Sequence, residues 1–208
     1  MSWERYSWEE SERGERYGPA LADRVAYGLS LVLNPLTVEG LAVLWPWTRG
    51  DVLGSLLGLT VVGTVLATAL AYIRANDTDV FLTRKEDRLP LIAVGGACNG
   101  AGALAARLLD ASPLASAILL TYALACLIVY LVTRRWKISI HASSAGTLIG
   151  LLCYAGDWGL LTAWLPVAGA VCWARLRMNA HTLDQIVLGT AGGAALTYCS
   201  LTLLLSAR

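Results

Sequence analysis

The chain has 208 residues, 56% hydrophobic and only 15% charged, with a formal net charge of +1 and a mean hydropathy of +0.57. A soluble domain of this size is rarely so apolar, so composition excludes an ordinary water-soluble enzyme and points to an integral membrane protein. A net charge so close to zero identifies no partner, and the placement of the charges has to be read instead.

The first 24 residues, MSWERYSWEESERGERYGPALADR, are polar and rich in glutamate. They lack the basic start, apolar run and small-residue cleavage site of a secretory signal. Trp3, Tyr6 and Trp8 can lay this segment on a membrane surface, and a solvated tail is the equal alternative. The expected division is a polar tail, 1–24, and a membrane domain, 25–208.

A bilayer core about 30 Å thick needs roughly 20 apolar residues per helix. Seven runs approach that length: 25–45, 52–72, 89–109, 113–133, 140–154, 160–173 and 182–206. Backbone groups in lipid must be paired internally, which favours helices. The predicted fold is therefore all-α, a polytopic transmembrane bundle of about seven helices, with six plus a re-entrant hairpin as the alternative. The fifth and sixth runs are short, so their ends are expected inside the bundle. Pro35 and Pro166 should kink the first and sixth helices. Glu39 within the first run needs a partner, and Arg107 near the end of the third is the expected one. Gly189-x-x-x-Gly193 suits close packing of the last helix. The five cysteines lie in apolar runs without a CxxC pair, and read as small core hydrophobes rather than disulfides or metal ligands.

The connections alternate in character. Those at 46–51, 110–112 and 155–159 are short and carry few charges. Those at 73–88 (IRANDTDVFLTRKEDR), 134–139 (RRWKIS) and 174–181 (ARLRMNAH) are basic. With seven helices the basic three share one side of the membrane with the N-terminus. Apart from candidate site cations, that side carries Arg5, Arg13, Arg16, Arg24, Arg74, Arg134, Arg135 and Arg177, against Arg49, Arg107 and Arg208 on the other. The positive-inside rule makes the basic side cytoplasmic.

The two histidines, His141 and His181, each open an apolar helix on the basic side. Zinc would need a third ligand, which no cysteine is placed to give, and the nearby cations would repel it, so no metal is expected. An anion suits the setting better. Arginine binds phosphate bidentately, and helix N-termini offer free N–H groups and a positive dipole end. Ser139, Ser143 and Ser144 add hydroxyls. Phosphoryl transfer needs a nucleophile and a proton donor, and two histidines can fill those roles. Gln185, at i+4 from His181, can accept from one ring N–H and leave the other nitrogen free; Asp184 at i+3 is a second candidate.

ISIH (138–141) and ARLRMNAHTLDQ (174–185) resemble the second and third motifs of the type 2 phosphatidic acid phosphatase family, Pro-Ser-Gly-His and Ser-Arg-x5-His-x3-Asp. The resemblance covers about residues 80–205. It implies that His181 is the nucleophile forming a phosphohistidine, that His141 protonates the leaving group, and that Ser139 and Arg175 hold phosphate oxygens. Gln185 stands where the family usually has aspartate, a form similar to the dolichyl diphosphatase branch, which acts on polyprenyl diphosphates. The first motif, Lys-x6-Arg-Pro, is looser: Arg88 precedes Pro90 with one residue between, and Phe81 occupies the lysine position, leaving Arg84 or Lys85 as the substitute. The implied function is removal of phosphate from an isoprenoid or polyprenyl (di)phosphate or other lipid phosphate, with no cofactor. Phosphatidic acid and phosphatidylglycerophosphate are alternative substrates. Implied partners are the lipid (di)phosphate and membrane lipids, not nucleic acid, with a homo-oligomer left open. A reading of another class is an anion or lipid-phosphate binding or transport protein without catalysis. Against transport, the polar residues gather at one face, whereas a transport site is expected near the midplane.

Overall fold

Apolar runs in lipid must close their backbone hydrogen bonds within themselves, and every regular element of the computed structural model is a helix among the described residues. These are residues 21–82 and 84–206, without the side chain of Lys85. Most of the polar tail, with Trp3, Tyr6 and Trp8, lies outside them. The order is α1 Leu21–Val32, α2 Pro35–Val43, a 3-10 turn Trp45–Arg49, α3 Val52–Asn76, α4 Lys85–Leu108, α5 Pro113–Thr133, α6 Ile140–Ala155, α7 Trp158–Arg177 and α8 Leu183–Ser206. The helices α3, α4, α5, α7 and α8 are long and apolar enough to cross a bilayer; α1 and the helical stretch after it reach that length and apolarity only when taken together, as a bent pair. The chain is an all-α, polytopic integral membrane protein.

The first apolar run is not one kinked helix. It divides at Leu33–Asn34 into two helices bent by 44°. Pro35 has no N–H to extend α1, and the Asn34 side-chain oxygen instead caps α2, accepting from Leu36 N at 2.9 Å and Thr37 N at 3.2 Å. The break leaves carbonyls in the last turn of α1 without helical partners, which matters at the site below. Pro166, by contrast, does not interrupt α7.

The 16-residue α6 is about 24 Å long at 1.5 Å per residue, shorter than the bilayer core. Its buried residues run almost without gap from His141 to Leu152, so it forms the centre of the bundle, and its most extensive partner is α8. Small residues let the two backbones touch. A Cβ on Gly193 would collide with the Ser143 carbonyl, one on Gly146 with that of Thr190, and one on Gly150 with that of Ala194; at Gly189 it would meet the Ser139 carbonyl at 3.0 Å. Ser143 lies against Gly189, Thr147 against Gly193 and Gly150 against Thr197, so α6 and α8 run parallel, with the start of α8 about one turn beyond that of α6. Gly193→Ala should therefore force the pair apart and cost roughly 1–3 kcal/mol. Thermal unfolding in detergent should show that loss, with Gly192→Ala silent, since nothing lies within 4 Å of a Cβ there.

Glu39 is 7% exposed, but its partner is not Arg107, which is exposed in the last turn of α4. Asn99 Nδ2 donates to Glu39 Oε1 at 2.9 Å. A neutral amide on the inward face of α4 satisfies the carboxyl, while the arginine stays at the helix end, where its charge need not be desolvated. At that same end Asp51 joins two connections. Its carboxylate caps α3 through Gly54 N at 2.8 Å and accepts from Ser112 N at 2.9 Å.

The opposite end gathers the three basic connections beside the start of α1. The rings of Tyr27 and Phe81 meet edge to face at 5.2 Å, and Arg177 pairs with Asp23 at 2.8 Å.

Candidate active site

The placement of His181 begins with the end of α7. Asn179 takes the left-handed conformation, φ 49°, one that asparagine tolerates. Ala180 N–H then reaches back to the Arg175 carbonyl at 3.1 Å, and Asn179 N–H to that of Leu176 at 2.9 Å. This pairing closes the helix as a Schellman turn and delivers His181 directly before α8. Gln185 Oε1 accepts from Thr182 N at 3.3 Å and lies 2.9 Å from His181 Nδ1. A backbone N–H can only donate, so the amide oxygen must face it. His181 Nδ1 is therefore the protonated nitrogen, donating to Gln185, and Nε2 keeps its lone pair. The competing orienter, Asp184, is exposed and instead accepts from the Thr182 hydroxyl.

His141 occupies the first turn of α6. Ser139 caps that helix, its side-chain oxygen accepting from Ala142 N at 3.3 Å, and is fully buried. The hydroxyl proton of Ser139 remains available to an anion. His141 Nε2–H donates to the Ser30 carbonyl at 3.1 Å, in the last turn of α1. The break before Pro35 thus supplies the acceptor that orients His141, leaving Nδ1 as its basic nitrogen. Ser143 and Ser144 are buried within α6; the Ser144 hydroxyl donates to the His141 carbonyl at 3.0 Å.

Two arginines are sunk beside these rings: Arg175 is 1% exposed and Arg88 4%, against 6% for His181 and 8% for His141. Arginines so deeply buried are rare unless something anionic or aromatic faces them. The Arg175 guanidinium lies 5.2 Å from the Phe81 ring centroid, a cation–π distance, and Phe81 also approaches His141, with ring centroids 6.3 Å apart. Phe81, standing where the family resemblance leads one to expect lysine, is therefore a platform for the site. Arg88 Nε donates to the Leu82 carbonyl. Arg84 is exposed at the start of α4, outside the buried group, and the side chain of Lys85 lies outside the described residues.

Sequence reasoning passed over Lys137. It is partly buried in the α5–α6 connection and within electrostatic range of Arg88 and Arg175. The overlooked signal was its position four residues before His141, inside a connection already notable for basicity. Burial, reinforced by Arg88, Arg175 and Lys137 and only partly offset by Gln185, pushes His181 down to about 3. The ring is therefore neutral near pH 7, with Nε2 available as a nucleophile. Among the described residues no third metal-ligating side chain joins the histidines.

The arrangement can hold a tetrahedral oxyanion between two arginines, a serine hydroxyl and the N-terminal ends of α6 and α8, with an unprotonated imidazole nitrogen nearby. Comparison with protein-family models, with curated proteins and with solved structures finds no match, so the functional argument rests on this local chemistry.

Proposed function

We propose that the chain is a metal-independent membrane phosphatase that removes phosphate from a lipid phosphate, such as an isoprenoid or polyprenyl (di)phosphate, through a phosphohistidine. The observation carrying this reading is the fixed tautomer of His181: Nδ1–H is held by Gln185 at 2.9 Å, leaving Nε2 free beside two buried arginines. In the proposed reaction Nε2 forms a bond to phosphorus while the bond from phosphorus to the leaving oxygen breaks. That oxygen takes a proton from His141, which has gained it at Nδ1 with the bound anion. Water then attacks phosphorus and returns a proton to His141 as the Nε2–P bond breaks. Arg88, Arg175 and Ser139 hold the non-bridging oxygens, where charge builds. The lipid-facing apolar surfaces beside the site suit a substrate that stays in the bilayer. The arginine excess at this end leads us to place it in the cytoplasm.

The testing experiment is a phosphate-release screen of the purified protein in detergent over lipid phosphates and polyprenyl diphosphates. Release abolished by His181→Ala, with lipid binding retained, would support hydrolysis over the binding-or-transport alternative. Binding without release by the wild type would favour that alternative. Vanadate should inhibit competitively, because its five-coordinate form resembles the phosphoryl transition state. Chelators should leave the rate unchanged. Inactivation by a chelator, reversed by zinc or magnesium, would contradict the metal-independent reading.

A further inference from the structure

We propose that Lys137 is a phosphate ligand of this site, binding the same anion as Arg88 and Arg175. This rests on the phosphatase reading only for its kinetic test; the anion-binding role stands on the cation cluster itself.

Position is the first support. The connection 134–139 is pinned two residues after Lys137 by Ser139, which caps α6 and packs its carbonyl where a Cβ on Gly189 would sit. The lysine cannot travel far from the N-terminus of α6, which lies against α8 at Gly189. The cation neighbourhood is the second support. Lys137 lies within electrostatic range of Arg88, Arg175 and the carboxylate of Asp79, and His181 in turn feels Lys137. Among the described residues, Lys137 thus shares a partly desolvated space with two further cations and the Asp79 carboxylate, so an entering anion would meet three positive charges.

The other cations of this end differ. Arg177 is matched with Asp23, and Arg84, Arg134 and Arg135 are exposed. Lys137 is partly buried, and among the described residues no hydrogen bond or ion pair engages it. Burial first, then Arg88 and Arg175, hold its ammonium below the usual lysine range, a cost that a bound phosphate would relieve. A flexible lysine is a point-charge phosphate ligand that needs no fixed fork geometry.

The test compares wild type, Lys137→Gln and Lys137→Arg as full-length protein in detergent. It reads KM and kcat for phosphate release from dioleoyl phosphatidate and farnesyl diphosphate, vanadate inhibition, and the thermal midpoint. Lys137→Gln should raise KM and weaken vanadate inhibition by about 10-fold, the loss of one charge-assisted hydrogen bond. Lys137→Arg should recover most of that, and the thermal midpoint should fall in neither variant. Equal losses in the two variants, or wild-type KM and vanadate inhibition in Lys137→Gln, would overturn the proposal. If the wild type releases no phosphate, the phosphatase reading fails, and calorimetric binding of vanadate decides Lys137 alone. Weaker binding by Lys137→Gln would sustain the ligand role, and equal binding would overturn it.

Discussion

His181→Ala should reduce phosphate release by on the order of 10⁴-fold or more, the scale seen when a nucleophile is removed from a concerted set. No other side chain among the described residues combines its three properties: a buried imidazole, a tautomer fixed by Gln185 at 2.9 Å, and a low proton affinity imposed by burial and three nearby cations. His141 is assigned the other role: the Ser30 carbonyl holds its Nε2–H at 3.1 Å, and its Nδ1 carries the proton for the leaving oxygen. The variant should still bind vanadate weakly, since the arginines remain. Residual turnover above a few per cent of wild type would mean that the nucleophile lies elsewhere.

Gln185 should prove the most informative positioning residue. Gln185→Leu frees the His181 ring to rotate and to adopt the other tautomer, and should cut kcat by about 10- to 1000-fold. Gln185→Asp should retain activity but move the acid limb of the kcat/KM profile to higher pH. The sign follows from the charge. A carboxylate stabilises the imidazolium, which the neutral amide does less, so the protonated and inactive form would persist to higher pH. In the wild type, with His181 held at about 3, activity should extend well below neutrality. The same depression costs stability as pH falls from the ordinary 6.5 towards 3, because the unfolded histidine takes up a proton that the folded one resists. The acid limb must therefore be measured as a reversible rate effect. Asp184→Asn should leave the rate within a factor of a few, since Asp184 binds Thr182 rather than His181. A silent Gln185→Leu with a dead Asp184→Asn would reverse the assignment.

The helical bundle was legible because hydropathy reports directly on what lipid tolerates; the His181–Gln185 bond was legible from the spacing, although His181 precedes α8 and Gln185 reaches it by turning back to Thr182 N at the helix start. The errors arose where a local competitor won. At Asn34 a side-chain cap outcompeted helix continuation, so an expected kink became a break, and the orientation of His141 by Ser30 followed from it. At Glu39, charge attraction suggested Arg107, but an inward-facing amide about two turns earlier in α4 satisfies the carboxyl without burying a cation. Phe81 looked like a missing lysine because spacing shows which residue is absent and not what its replacement touches. Lys137 was invisible for the same reason: its neighbours, Arg88 and Arg175, lie far from it in sequence and are brought near only by the tertiary fold.

The most direct measurement is capture of the covalent intermediate. Wild-type protein in detergent would be mixed with a lipid phosphate or diphosphate labelled at the terminal phosphorus, quenched in base to preserve phosphohistidine, digested, and read by mass spectrometry. The expected result is a phosphoryl group on His181, attached at Nε2 and absent from the His181→Ala protein. Steady phosphate release with no label on His181, or with label on another residue, would contradict the mechanism.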